Sequence, residues 1–212
     1  MATQPSVWTV IVAAGSGTRF GGAKQYLELA GTRVVDRSVA VAAQVSDGVV
    51  VVVPASDVSA ESARLAADSV VAGGPSRAAS VRNGLTAVPP DAAIICVHDA
   101  ARPLAGADVY QRVINEVRSG AGGAVPVVPV TDTIRRVDGG VVDRSALQAV
   151  QTPQAFRGEL LRAAHDDAGD ATDDASLVEA AGFSVVAVQG HSRNIKITHP
   201  DDLAAAEAWL AT

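Results

Sequence analysis

Lysine is nearly missing from this sequence. Of its 17 basic residues only Lys24 and Lys196 are lysine, and the rest are arginine. That bias reads either as chance or as two places that need a compact ammonium in place of a planar guanidinium. Cysteine occurs once, at Cys96, which excludes an internal disulfide and a Cys-rich zinc site. The four histidines, at 98, 165, 191 and 199, show no pairing at zinc-ligand spacing. No apolar run approaches the roughly 20 residues of a membrane helix. The opening MATQPSVW has no basic n-region, and the apolar stretch from Val7 to Ala14 is soon broken by Gly15 and Gly17. It does not read as a secretory signal, and a cytoplasmic location is the expectation. Positive charge is in deficit too, at 17 basic against 23 acidic residues, a formal charge of -6. Such a chain is a poor general binder of nucleic acid or of an anionic membrane. A phosphate-bearing ligand therefore needs a local basic cluster.

What is present is a globular chain of 212 residues, 48% apolar and 19% charged, expected to form a single domain over 1–212. Short β-branched runs alternate with Ala-rich segments. The runs Val7–Ala13, Gly48–Val53, Ser69–Ala72, Ala92–Val97, Ala124–Pro129 and Ser184–Val188 read as strands. Helices are expected over Thr32–Val45, Asp57–Asp68, Arg77–Val88, Ala107–Ser119, Arg157–His165, Asp174–Ala181 and His199–Leu210. The strands are continuously apolar, as when helices cover both faces of a sheet. Repeated β-α units of this kind give a doubly wound, mostly parallel α/β sheet. One stretch breaks the rhythm. Thr131 to Ser145 reads TDTIRRVDGGVVDRS, with β-like pieces around Gly139-Gly140. This is a hairpin signal, either an edge hairpin or an arm that reaches a second subunit.

Three segments carry candidate chemistry. The first strand runs into AAGSGTRFGGAKQY, where Gly15, Gly17, Gly21 and Gly22 free backbone N–H groups for an anion and Arg19 and Lys24 add charge. The loop after the first strand of a doubly wound fold lies at the ligand-binding carboxyl edge. A P-loop is excluded, because Lys24 is followed by Gln25, and G-x-G-x-x-G fails after Gly17. Gly-rich backbone with Arg and Lys suits a triphosphate better than a dinucleotide. The second segment, AGGPSRAAS from Ala72 to Ser80, reads as a phosphate or base-edge turn, or as a plain turn capped by Ser76. The third, AIICVHDAARP, ends an apolar strand at His98-Asp99. A single carboxylate suffices for a nucleotide-bound Mg²⁺; a salt bridge to Arg102 is the structural alternative. Further along, Lys196 lies in a β-like run, Asn194–Thr198, where a half-buried ammonium needs an anionic partner.

Together AAGSGTRF, QYL, GG-x-x-R-x-x-S, VHDAARP, DTI, QTPQAF, TDDAS and NIKIT, in this order over nearly the whole chain, resemble the 2-C-methyl-D-erythritol 4-phosphate cytidylyltransferase family. The resemblance implies a Rossmann-like α/β domain whose projecting β-hairpin arm exchanges between two subunits of a homodimer. It implies transfer of the cytidylyl group of CTP to a polyol phosphate, with Mg²⁺ and release of pyrophosphate. By motif, Arg19 and Lys24 resemble the pair that holds the triphosphate and stabilises the α-phosphorus. Ala13, Ala14, Gly15, Gly17, Gly74 and Ser80 match nucleotide-contacting positions, and Asp99 the residue near metal and polyol. Thr133, Arg144, Thr152, Thr172 and Lys196 match substrate-phosphate and orienting positions, with Arg144 and Lys196 aiming the attacking phosphate. Pro75 departs from the pattern, since an acidic residue is frequent there; the backbone contacts of Gly74 are unaffected.

The residue types suit that chemistry. Two anionic phosphates must approach one another, so fixed positive charge and Mg²⁺ carry the reaction, and no covalent nucleophile is required. The rivals are a ribitol-5-phosphate cytidylyltransferase, a sugar-1-phosphate nucleotidyltransferase, an NAD-dependent dehydrogenase and a non-catalytic nucleotide sensor. The dehydrogenase is disfavoured by the broken glycine motif. The sensor would not need Arg144 and Lys196.

Overall fold

Six consecutive residues, Gly48 to Val53, are buried without a break. A run of that kind forms a strand only when both of its faces are covered. The computed structural model describes residues 4–166 and 173–211, and in it this strand lies inside one large sheet. In chain order the elements are β1 (Val7–Val12), β2 (Glu28–Leu29), β3 (Thr32–Arg33), α1 (Val34–Ala42), β4 (Gly48–Val53), α2 (Val58–Ser62), β5 (Ser69–Ala72), α3 (Arg77–Thr86), β6 (Ile94–Asp99) and α4 (Ala107–Arg118). Then follow β7 (Gly123–Pro129), β8 (Ile134–Arg135), β9 (Val141–Val142), β10 (Gln148–Val150), β11 (Gln154–Arg157), α5 (Gly158–Asp166), α6 (Asp174–Ala180), β12 (Val185–Gln189) and α7 (Pro200–Leu210).

The sheet runs β10-β7-β11-β6-β1-β4-β5, with β12 paired to β7. The β6-β1-β4-β5 core is parallel, while β11 runs antiparallel between β6 and β7. Alternate residues feed two cores. Ile11, Val51 and Cys96 pack with Val35, Val39 and Tyr110 of α1 and α4. Val10, Val50 and Ile95 pack with Val81, Leu161 and Val178 of α3, α5 and α6. The period-2 alternation of a strand thus sorts α1 and α4 to one face and α3, α5 and α6 to the other. This is the doubly wound, mostly parallel α/β sheet expected. Among the described residues no helix is long and apolar enough to cross a membrane.

Four local expectations are corrected. The helix expected from Thr32 starts at Val34, because Thr32 and Arg33 first pair with Leu29 and Glu28 in a small hairpin. The helix expected over Asp57–Asp68 is the short α2, entered through a 3-10 turn at Ala55–Asp57. Asn194–Thr198 is not a strand; the N–H of Ile197 bonds to the carbonyl of Ala101 at 2.8 Å without a ladder. QTPQAF, read only as a motif, contains most of β11. The Gly139-Gly140 turn does form a hairpin: β8 pairs antiparallel with β9, and the two glycines take φ of 111° and 79°, which side chains disfavour.

Candidate active site

The carboxyl ends of β1 and β6 lie side by side, with Val12 in register with Asp99. Beyond them opens a cavity of about 460 Å³, its floor and walls drawn from the chain after β1, the turn before α3 and the end of β6. Ligands of open α/β sheets bind at this edge.

The glycine loop owes its shape to one carbonyl. Gly17 O accepts from the N–H groups of Phe20 and Gly21 at 2.9 Å and of Gly22 at 3.3 Å. Gly17 has φ +65°, and a Cβ there would stand 1.9 Å from the Gly22 carbonyl oxygen. Only glycine fits. The loop then enters a 3-10 turn, Lys24–Tyr26, which is moored to the body. The Tyr26 hydroxyl donates to Asp57 at 2.8 Å, and the Arg33 guanidinium lies 5.6 Å from the ring centroid. Arg33 is itself locked, donating to Glu61 at 2.8 and 3.0 Å and to Asp36 at 2.7 and 3.0 Å. Burial and the bond to Asp57 push the Tyr26 phenol up, so it stays neutral.

Four cations line the cavity: Arg19, Lys24, Arg77 and Lys196. Burial lowers the Lys24 pKa, and the charges of Lys196 and Arg19 lower it further. Lys24 has no ion pair among the described residues, whereas Lys196 Nζ donates to Asp99 Oδ2 at 2.6 Å. Burial alone would raise the Asp99 carboxyl. The positive charges of Arg77, Lys196 and Arg102 overcome it and hold Asp99 well below the usual carboxylate range. Asp99 is thus a fixed anion among cations.

The remaining predicted positions divide into groups. Ala13, Ala14, Gly15, Gly17, Gly74 and Ser80 line the same cavity as Arg19, Lys24, Asp99 and Lys196. Ser80 shapes the turn from within: its Oγ accepts from Gly74 N–H at 3.1 Å and donates to Ser76 O at 2.9 Å. Pro75 lines the cavity beside it. Thr152 stands behind Asp99, buried, and its Oγ1 accepts from the Asp99 N–H at 3.0 Å. It also shares a hydrogen bond with His98 Nδ1 at 3.1 Å. Thr152 therefore orients Asp99 from outside the cavity lining, in keeping with the orienting part of its expected role. Thr133 and Arg144 lie on the arm and are not among the lining residues; the Arg144 guanidinium donates to the Thr131 carbonyl. Thr172 lies outside the described residues.

Sequence reasoning passed over Arg77. It lines the cavity, donates to Asp99 Oδ1 at 3.2 Å and to Asp174 Oδ2 at 2.7 Å. Burial would lower its pKa, but Asp174 and Asp99 raise it on balance. The signal was present, because Arg77 is the arginine of GG-x-x-R-x-x-S.

The sequence profile described as 2-C-methyl-D-erythritol 4-phosphate cytidylyltransferase matches residues 7–212. A protein of that name from Rhodococcus jostii is 45% identical, over 96% of this chain and 95% of its own. The bifunctional enzyme IspD/IspF of Solidesulfovibrio magneticus is 43% identical over 96% of this chain, which spans only 57% of that longer protein. The crystal structure of 2-C-methyl-D-erythritol 4-phosphate cytidylyltransferase from Thermus thermophilus superposes with a TM-score of 0.83 at 36% identity, covering 98% of this chain and 100% of that one. The profile match runs through every segment that builds the cavity, and the chain belongs to the 2-C-methyl-D-erythritol 4-phosphate cytidylyltransferase family.

Proposed function

We propose that this chain transfers the cytidylyl group of CTP to 2-C-methyl-D-erythritol 4-phosphate, giving 4-diphosphocytidyl-2-C-methyl-D-erythritol and pyrophosphate in the non-mevalonate route to isoprenoid precursors. The observation that carries the reading is the meeting of Arg19, Lys24 and Lys196 with Asp99 in a cavity walled by glycine-rich backbone. In this reading the triphosphate lies along the glycine loop, against N–H groups of residues 15–19, ahead of those that the Gly17 carbonyl takes up. The cytosine edge meets the backbone at Gly74, and a wrong base, leaving polar groups unpaired, is discriminated against.

The step is an in-line attack. A phosphate oxygen of the polyol phosphate bonds to the α-phosphorus, and the bond from that phosphorus to the bridging oxygen of pyrophosphate breaks. The nucleophile is already ionised, so no base need remove a proton. Arg19 and Lys24 stabilise charge gathering on the α-phosphate oxygens and the leaving pyrophosphate. Lys196 aims the incoming phosphate, with Asp99 as its counter-ion in the free enzyme.

Among the described residues Asp99 is the only carboxylate lining the cavity, and no three His, Cys, Asp or Glu side chains converge there as a metal cluster. This donor set fits a divalent cation that arrives with the nucleotide, since Mg²⁺ takes one or two carboxylates plus phosphates and waters. Asp99 would hold it, and the ion would supply further neutralisation of the triphosphate charge.

The arm supports a shared site. Thr133 and Arg144 carry the motif positions assigned to the substrate phosphate yet lie on the hairpin, outside this chain's own cavity lining. In a homodimer exchanging arms, each would complete the other's site. One domain over 1–212 carries the rest, and the proposed setting is the cytoplasm, where CTP is available.

Pyrophosphate release from CTP, UTP, ATP and GTP, each with methylerythritol phosphate and with ribitol 5-phosphate, tests the reading. Turnover confined to CTP with methylerythritol phosphate is expected. Faster turnover of ribitol 5-phosphate, or equal use of a purine nucleotide, would overturn it.

A further inference from the structure

Behind Asp99 the cavity wall continues as a line of buried charge. Lys196 Nζ reaches Asp99 Oδ2 at 2.6 Å, and Asp99 Oδ1 accepts from Arg77 Nε at 3.2 Å. Arg77 Nη1 donates to Asp174 Oδ2 at 2.7 Å, and Asp174 Oδ1 lies 3.0 Å from His165 Nε2. The carboxylate can only accept, so Nε2 carries the proton there, and a neutral imidazole suffices. The Asp174 and His165 side chains are each 1% exposed, and neither lines the cavity. The reaction above uses neither of them.

A carboxylate this deeply buried is a poor source of stability. Replacing a buried ion pair by apolar side chains of similar volume is frequently neutral or stabilising. Its geometric effect is plainer. Arg77 is anchored at two points of its planar fork, Nε on Asp99 and Nη1 on Asp174. Two contacts to one rigid plane fix its orientation, and one would leave it free to swing with Asp99. Asp174 is itself rigidly placed. It opens α6, whose cap is Asp173, accepting from Ser176 N–H at 3.3 Å and from Gln154 Nε2.

We propose that Asp174 is a positioning residue of the nucleotide site: it fixes the plane of the Arg77 guanidinium, and through Arg77 the carboxylate of Asp99 that Lys196 shares. His165 holds the second Asp174 oxygen and so sets the far end of the line. The inference rests on the reaction proposed above.

A double-mutant cycle over Arg77→Ala and Asp174→Ala tests it, read as kcat/KM for CTP. Each single change is expected to lower kcat/KM on the order of 10- to 100-fold, the range for a hydrogen bond to a charged group. The double variant should be no worse than Arg77→Ala within about twofold, because Asp174 acts only through Arg77. Asp174→Asn should recover part of the loss. Its amide oxygen still accepts from Arg77, and His165 can switch tautomer to accept from the amide. If the two losses multiply in the double variant, Asp174 acts independently and the proposal fails. It fails equally if Asp174→Ala lowers Tm but leaves kcat/KM unchanged. Should Asp174→Ala not fold, Asp174→Asn takes its place in the cycle with the same criterion. The same cycle on the nucleotide Kd, measured by calorimetry, needs no turnover, so failure of the proposed reaction and failure of this link come apart.

Discussion

Arg77 and Arg144 are the same side chain in opposite circumstances. Arg77 is mostly buried and gripped by carboxylates from β6 and α6. Arg144 stands exposed on the arm and bonds to a carbonyl of the arm itself. The contrast extends to the regions around them. Groups lining the cavity are tied to elements far apart in the chain, as in Lys196 to Asp99 and Asp99 to Thr152. Hydrogen bonds of the arm stay local: Arg136 to Asp138, Ser145 to Asp143, and the two-residue pairing of β8 with β9. The body presents charges already aimed, which is the arrangement that favours transition-state stabilisation. The arm is a short two-stranded ribbon, marginal in water until it packs on a surface. Most of the proposed site is preformed in the body, and the proposed homodimer would add only Thr133 and Arg144 of the arm.

The sharpest way to break this contrast is Lys24→Ala. Loss of one aimed donor should lower kcat on the order of 10²–10³-fold. Because Lys24 makes no ion pair among the described residues, the melting temperature should hardly move. A raised KM for CTP with unchanged kcat would assign Lys24 to binding instead.

The next test asks where Arg144 acts. Lys24→Ala and Arg144→Ala, each inactive alone, are mixed and allowed to exchange subunits. With the arm acting in trans, a mixed dimer holds one doubly defective site and one intact site. Random pairing should then restore up to about a quarter of wild-type activity. Exchange demonstrated without any recovery would place Arg144 in its own chain's site.

The fold was largely legible because its strands are pure. Gly48–Val53 and Ser69–Ala72 form where their composition placed them, since an apolar run between helices has one place to go. The antiparallel β11 was not legible as a strand. It is four residues long, within a motif of mixed polarity, and its pairing with β6 and β7 is a tertiary fact. The reverse holds at Asn194–Thr198, where β-prone residues found no neighbouring ladder. In the site, residues on the glycine loop could be found from local spacing. Arg77 and Asp174 could not be joined, because they stand 97 positions apart in the chain and meet only in the folded structure.

A weaker effect separates wall from arm by pH. His98 is fully buried behind Asp99, and burial lowers its pKa from 6.5 to about 4. The unfolded chain then binds a proton that the folded one refuses, so stability falls as the pH drops from about 6.5 toward about 4. Asp99, depressed below the usual carboxylate range, adds its own loss only below the ordinary Asp pKa of about 4. Melting temperatures measured across pH 7 to 4.5 should show the decline, and His98→Gln should flatten it. An unchanged slope would show that another group sets it.

The smallest expected effect is on the arm. The Arg136–Asp138 pair has side chains 64% and 70% exposed, and Arg136→Ala should leave the midpoint of a denaturant titration unchanged within error. A measurable loss would mean that this end of the arm is packed against something, and would narrow the difference between the two regions.

Lys24 and Lys196 enter the cavity from opposite ends of the chain, and this orders its assembly in time. β12 is the last strand of the sheet, and Lys196 comes after it. As the polypeptide is synthesised, every strand can be available, with Arg19 and Lys24 placed, while Asp99 still lacks its ammonium partner. The cation set closes only when the chain crosses back and the Ile197 N–H reaches the Ala101 carbonyl. Long-range closures of this kind are late events in folding. A nascent chain therefore gains its sheet before the Lys196–Asp99 pair, and a translation product ending before Lys196 lacks the ammonium to which the proposed reaction gives the incoming phosphate.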